Sequence, residues 1–185
     1  MSSVALAIRP LRERDLPLFD AHFARHRAES GRGEPHFMPY APGAATGPKG
    51  LKAERFSLGL DKTGWERWFA AWDESGTSII GHVDLKGDGH GAGLHRCELG
   101  IGIERPYRRR GLGRRLMQTV IQFAREAPTV SWLDLRVFAH NHPARALYKG
   151  LGFRELGTYV DRFRVAETSI DDVMMTLSVD TSAPS

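Results

Sequence analysis

The sequence predicts an α/β protein built on a mixed, mostly antiparallel central sheet flanked by helices. Three observations carry that expectation. Apolar residues alternate with polar residues or glycine in several short runs, clearest in Leu94–Ile103, where Leu99, Ile101 and Ile103 are set against Glu98, Gly100 and Gly102. Over Gly111–Ala127 the spacing becomes helical, with Leu112, Leu116, Val120, Phe123 and Ala127 near one face and Arg114, Arg115, Gln118, Gln122 and Arg125 elsewhere. Strand spacing returns at Trp132–Phe138, and a strand–helix–strand step favours a parallel pair, while short turns elsewhere favour antiparallel neighbours.

The other elements follow in order. Val4–Arg9 reads as a short strand ended by Pro10, and Asp15 as the cap of a helix over Leu16–Ala28. Residues Ser30–Gly50 hold five glycines and four prolines and read as a long loop, of a length that is usually functional or disordered. A short helix is expected over Leu51–Leu60. Trp65–Asp73 and Thr77–Lys86 form a hairpin joined by Glu74-Ser75-Gly76. Pro143–Leu151 is a short helix with Asn141 as N-cap and Gly152 as stop, and Phe153–Val160 and Asp171–Val179 close the chain as a strand pair.

The bulk properties narrow the class. With 185 residues, 41% hydrophobic and 26% charged, the chain fits one domain over residues 1–180 with a tail at 181–185. The single cysteine, Cys97, excludes an intrachain disulfide, and no apolar run is long enough for a membrane span. A signal peptide is not expected at Met1–Ile8, so a cytoplasmic protein without membrane attachment is. The net charge of +4 matters less than its concentration, since Arg105, Arg108, Arg109, Arg110, Arg114 and Arg115 fall within eleven positions. Such a cluster points to a compact polyanion, either a phosphate group or a nucleic-acid backbone. Interleaved aromatics and nucleic-acid motifs are missing, so no nucleic-acid partner is expected. His140 and His142 lie two apart and the other histidines are scattered, so no metal is expected either.

Arg108-Arg109-Arg110-Gly111-Leu112-Gly113 sits between a strand and a helix. A helix start offers unpaired N–H groups and a partial positive charge, and glycines let those amides approach an anion. The ending differs from both the Walker loop and the dinucleotide fingerprint. On its own the segment fits a tight basic turn equally well.

Arg108-x-x-Gly111-x-Gly113 resembles the acetyl-CoA motif of the GNAT superfamily of N-acetyltransferases. Asn141-His142-Pro143-Ala144-Arg145-Ala146-Leu147-Tyr148-Lys149-Gly150-Leu151-Gly152-Phe153 resembles its second motif, N-x-x-A-x-x-L-Y-x-x-x-G-F, position for position. The resemblance covers about Val4–Val179 and is specific from Glu98 to Phe153. It implies a GNAT-like sheet splayed between the fourth and fifth strands, with acetyl-CoA as acyl donor. Cofactor binding is implied for Ile101, Gly102, Ile103, Arg108, Arg109, Arg110, Gly111, Leu112, Gly113, Arg114, Asn141, Ala144 and Tyr148. Tyr148 is the expected acid for the departing thiolate, its alternative being a half-buried packing aromatic. Glu98 is the expected base, its alternatives being an exposed strand carboxylate or a salt-bridge partner of Arg96, with Asp84, His82 and His95 as further candidates. Gly100 and Gly102 fit close approach of the cofactor, or a bulge, or a tight spot against a neighbouring side chain.

The activity so implied is acetyl transfer to a primary amine of a small molecule or peptide by direct attack in a ternary complex. The alternative is a non-catalytic acyl-CoA-binding sensor of the same fold. The acceptor walls are expected from His22–Leu60 and Tyr159–Ser169, with His36, Phe37, Met38 and Tyr40 as a lid, or as part of a surface loop packed on the domain or partly disordered. Trp65, Trp68 and Trp72 read as packing residues, and a homodimer is consistent with the resemblance.

Overall fold

The computed structural model describes residues 6–33, 35–40 and 51–180. The parts of the readings above that fall on residues 1–5, 34, 41–50 and 181–185 lie outside them. Seven strands form one sheet in the order β1-β2-β3-β4-β5-β7-β6, the strands being β1 (Ile8–Pro10), β2 (Glu66–Trp72), β3 (Ile79–Gly87), β4 (Arg96–Ile103), β5 (Trp132–Phe138), β6 (Arg154–Val165) and β7 (Thr168–Ser178). Helices α1 (Leu16–Glu29), α2 (Leu112–Glu126) and α3 (His142–Lys149) lie between them in sequence. Every neighbouring pair is antiparallel except β4 and β5. No helix among the described residues is long and apolar enough to cross a membrane.

The α2 register follows its sequence. Leu112, Leu116, Val120 and Ala124 are buried against the sheet, joined by Met117 and Ile121. Phe123, expected in that face, is only partly buried and packs edge-on against Phe69, ring centroids 5.8 Å apart. Beneath α2 lie Val83 and Leu85 of β3, Leu99 of β4, Leu133 and Leu135 of β5 and Met175 of β7, each nearly inaccessible. Fully burying one such side chain contributes about 1.5–3 kcal/mol. The opposite face is less apolar. There α1 covers β2 and β3, with Phe19 edge-on to Trp68 at 5.2 Å and to His82 at 5.3 Å.

Several local expectations need correction. Asp15 does not cap α1, because its backbone is already helical (φ −88°, ψ −8°). Its carboxylate instead accepts from the Arg12 N–H at 3.1 Å and from Arg9 Nη1 at 3.0 Å, fixing the turn that precedes the helix. The helix expected over Leu51–Leu60 is a single 3-10 turn at Ala53–Phe56. β6 continues past Val160 to Val165, with register irregularities between Glu155 and Gly157 and between Tyr159 and Phe163. An edge strand exposed along most of its length carries no apolar alternation to mark that end. The expected turn at Glu74-Ser75-Gly76 forms, held by Asp73 Oδ1, which accepts from Thr77 and Ser78 N–H at 2.9 and 3.1 Å.

The feature that positions the site is the partial pairing of β4 with β5. Their ladder runs from Arg96↔Trp132 to Leu99↔Leu135 and ends. Gly100–Ile103 stay with β3, and Arg136–Phe138 stay with β7. The two strands therefore part into a wedge, as the resemblance implied.

Candidate active site

A cleft of about 1380 Å³ runs through this wedge and reaches both faces of the sheet. Along one wall, β4 past Leu99 has no strand partner on its β5 side, so the backbone of Gly100–Ile103 faces the opening. At the mouth stands the start of α2. Its N-cap is Gly111 at φ 77°, a left-handed conformation that favours glycine, and no side chain caps the helix. A Cβ built at Gly111 would meet nothing within 4 Å, so the space in front of the first-turn amides is open. An uncapped fifteen-residue helix without an acidic residue in its first turn is an anion cradle. Gly113 serves packing, since a Cβ there would come within 3.2 Å of Leu147 on α3.

The arginines of the turn divide their roles. Arg109 and Arg114 line the cleft. Arg108 also lines it, but its guanidinium is engaged elsewhere: Nε donates to the Ile103 carbonyl at 2.7 Å, Nη2 to Glu29 at 2.5 Å, and the group lies over the Phe37 ring. It ties the turn to the end of α1, where the Glu29 carboxylate supplies the opposite charge. Arg110 is exposed and does not line the cleft, and the Leu112 side chain is buried in the core, leaving only its backbone amide at the mouth.

The second motif builds the far wall. Asn141 caps α3, its Oδ1 accepting from the Ala144 N–H at 3.3 Å, and both residues line the cleft. Tyr148 lines it too, although it is 5% exposed overall. Burial pushes its phenol well above the ordinary range, so the hydroxyl keeps its proton at neutral pH. Gly152, with φ 96°, ends this unit where a stop was expected.

On the other face, β3 places His82 opposite Gly102 and Asp84 opposite Gly100. A Cβ on Gly100 would fall 2.6 Å from Asp84 Oδ1, and one on Gly102 would fall 2.5 Å from His82 Cε1 and 2.7 Å from His26 Nε2. Of the three readings of these glycines, the structure supports the tight spot: the approaching groups are the protein's own Asp84, His82 and His26. Asp84 is 3% exposed, and burial pushes its carboxyl up to about 6 against the pull of Lys86, whose Nζ lies 3.2 Å from Oδ2. Glu98 lies at the exposed edge of the same cleft, two residues along the strand from Gly100. It does not pair with Arg96, which holds Asp134 through contacts of 2.7 and 2.6 Å. His95 is exposed and off the cleft.

Sequence reasoning missed the buried polar cluster behind His82. His22 Nδ1 is 2.7 Å from Glu104 Oε1, and His22 Nε2 is 2.8 Å from His82 Nδ1. Burial lowers the pKa of all three histidines here, that of His26 to about 3. The partners stand 60 and 82 residues apart in the chain, so no local spacing announces them. The described part of the proline-rich loop closes over this region. Ser30 Oγ accepts from the Phe37 and Met38 N–H groups, Phe37 stacks on His26 at 4.8 Å, and the His36 carbonyl accepts from His140 Nε2 at 2.6 Å. Trp65, Trp68 and Trp72 are buried as expected, and Trp68 also lines the cleft. Among the described residues no cluster of histidine, cysteine or carboxylates could hold a metal ion.

A strand wedge with an anion cradle at its mouth has the shape and charge to admit an extended, phosphate-bearing ligand between two strands. Residues 37–153 match the acetyltransferase (GNAT) family, and the chain belongs to it. The chain is 32% identical over 92 residues to the N-alpha-acetyltransferase RimI of Mycobacterium tuberculosis, a match covering 50% of this chain and 56% of that protein. It spans 56% to 60% of the length of the curated relatives it matches. Its fold is similar to that of a GNAT-family acetyltransferase from Streptococcus pneumoniae (TM-score 0.76, 23% identity, covering 94% of this chain and 99% of that one). It is also similar to a Salmonella typhimurium protein solved with its cofactor acetyl-CoA (TM-score 0.73, 16% identity, covering 98% of each chain).

Proposed function

We propose that this chain is an acetyl-CoA-dependent N-acetyltransferase that moves an acetyl group to a primary amine of a small molecule or peptide by direct attack within a ternary complex. The observation that carries this reading is the single cleft that joins the uncapped start of α2, through the β4–β5 wedge, to the buried Asp84–His82 face. The residues fit the cofactor. The first-turn amides behind Gly111, with Arg109 and Arg114, would hold its phosphates, and the free edge of β4 at Ile101–Ile103 would pair with its extended arm. Asn141, Ala144 and Tyr148 would form the opposite wall. When bound, acetyl-CoA supplies a thioester open to attack by an amine.

The chain's own groups supply the proton handling. An alkylammonium has a pKa of about 10 and must lose a proton before its nitrogen can attack. Asp84 is placed to receive it: burial and the raised pKa bring it toward the range where a carboxyl works as a base near neutral pH. Glu98, the base expected from sequence, sits at the exposed rim and would exchange protons with solvent. Tyr148 keeps a phenolic proton for the sulfur that departs, and regains one from water afterwards. Phe37 and Met38 would limit water on the acceptor side, the lid role expected of their loop.

Two measurements test the reading together. Acetyl-CoA at 100 times its Kd should stabilise the fold by about 2.7 kcal/mol, read as a rise in Tm. A panel of amines and N-terminal peptides should release thiol. No thermal shift at millimolar acetyl-CoA defeats the cofactor assignment, and a shift without thiol release on any amine defeats the enzymatic one in favour of a sensor.

A further inference from the structure

The hydrogen bonds behind the acceptor face leave one way to place their protons. Glu104, just past β4, accepts from Arg25 Nε at 3.1 Å and Nη2 at 2.9 Å. A carboxylate bonded to a guanidinium in this way is an acceptor with no proton to give. His22 Nδ1, 2.7 Å from Glu104 Oε1, must therefore carry a hydrogen. His22 is fully buried, and desolvation keeps its imidazole neutral, so its Nε2 has a bare lone pair. His82 Nδ1, 2.8 Å from that nitrogen, must then be an N–H donor. His82 is also buried and neutral, so the bare lone pair passes to its Nε2.

That nitrogen is bonded to Cε1, the ring atom packed over Gly102 of β4, and His82 lines the cleft. The charged and titratable groups around it are Asp84 and Lys86 on β3, His22 and His26 on α1, Arg108 beyond β4, which bears on His26, and Glu66 and Glu98, which bear on Asp84. Phe19 and Trp68 wall the ring at 5.3 and 5.7 Å. Asp84, two residues along the same strand, covers Gly100.

We propose that Glu104 and His22 lock His82 in its Nδ1–H tautomer, so that His82 Nε2 and the Asp84 carboxylate together accept the two N–H bonds of a primary acceptor amine above Gly100 and Gly102. The proposal rests on the N-acetyltransferase reading and makes it specific. Residues two apart on a strand have Cα atoms about 6.6 Å apart. The two N–H bonds of an amine diverge at close to the tetrahedral angle, so two acceptors each about 2.9 Å from the nitrogen stand about 4.7 Å apart, within reach of side chains rooted about 6.6 Å apart that incline toward each other. Once Asp84 has passed the ammonium proton on to bulk water it is a carboxylate again, and the neutral amine so held has both N–H bonds engaged and its lone pair free for attack. After attack the nitrogen gives one of those protons to Asp84 as the thiolate takes the Tyr148 proton. A secondary amine has one N–H and leaves one buried acceptor unpaired, which the site disfavours. His82 is the substrate-contacting residue, and His22 and Glu104 are positioning residues.

The test combines nitrogen NMR of the histidine-labelled protein with paired amine kinetics. At neutral pH both His22 and His82 should show protonated Nδ1 and bare Nε2, and a primary amine substrate should shift the His82 Nε2 resonance. kcat/KM for a primary amine should exceed that of its N-methyl counterpart at least tenfold. In Glu104→Gln, Arg25 retains the amide oxygen, the amide NH2 faces His22, and the chain reverses to place a hydrogen on His82 Nε2. The primary-amine preference should then collapse and the amine KM rise at least tenfold, with the acetyl-CoA KM within twofold of the parent. A protonated His82 Nε2 in the parent protein overturns the proposal, as does an unchanged preference in a variant whose spectra show the reversed chain. If Glu104→Gln fails to fold, the parent spectrum and the parent's amine preference decide. If no amine is acetylated, the proposed function fails, and the spectrum separately reports whether the lock exists.

Discussion

Replacing Gly100 with alanine separates a glycine kept for the cofactor from a glycine kept for Asp84. The new Cβ would lie 2.6 Å from Asp84 Oδ1, and an ordinary contact begins near 3.4 Å, so the carboxylate must retreat by roughly 0.8 Å. It has little room: Asp84 is 3% exposed and Lys86 holds it at 3.2 Å. Overpacking of this kind costs about 1–3 kcal/mol. For a chain of 185 residues each kcal/mol lowers Tm by about 2–4 °C, giving an expected fall of about 2–12 °C in a thermal melt. A displacement near 1 Å of a group that must meet a reacting nitrogen can cost about 10²-fold in rate, so kcat/KM for the amine should fall by that order. Acetyl-CoA affinity, measured by titration, should change little, because the added methyl points to the acceptor face and not along the wedge-side edge of β4. The opposite pattern, lost acetyl-CoA affinity with unchanged amine kinetics, would refute the assignment of this glycine and weaken that of Asp84.

Four other outcomes follow from the same geometry. Gly111→Trp should abolish the acetyl-CoA-induced rise in Tm by filling the open space before the α2 amides, while Gly111→Ala, which shares the strain at φ 77° without the bulk, should keep part of it. Tyr148→Phe should lower kcat by about 10²–10⁴-fold with acetyl-CoA affinity unchanged, which calorimetry and steady-state kinetics can separate. Amine kcat/KM should rise with pH through an apparent pKa near 6, set by Asp84, and Asp84→Asn should remove that limb along with most of the rate. Urea midpoints should fall as pH drops from 6.5 toward 3, because the unfolded chain protonates His26 near 6.5 while the folded chain holds it neutral down to about 3; a His26→Leu variant should lose stability less steeply over that window.

What was legible in the sequence was whatever a periodic or contiguous pattern could encode. Leu99, Ile101 and Ile103 announced β4, and the Leu112–Leu116–Val120 stripe announced α2, because a strand or helix with one buried face must repeat its apolar residues at that element's period. The donor side was legible for a related reason: a helix start that holds phosphate needs its glycine and its neighbours in consecutive positions. The acceptor side was not. α1 buries imidazoles at His22 and His26 where an ordinary helix would bury aliphatic residues, so its inner face carried no hydrophobic stripe. The His22 imidazole is acceptable inside because Glu104 and His82 bond it from other elements, and that condition exists only once the sheet has formed. The same logic explains why Glu98 stood out and Asp84 did not. Glu98 shares a run with recognisable glycines, whereas Asp84 is set apart by its burial and by the missing Cβ of a residue on the neighbouring strand. Buried polar groups that complete one another across elements are therefore where structure adds most to a sequence reading, and in this fold they gather on the face where the acceptor amine is proposed to bind.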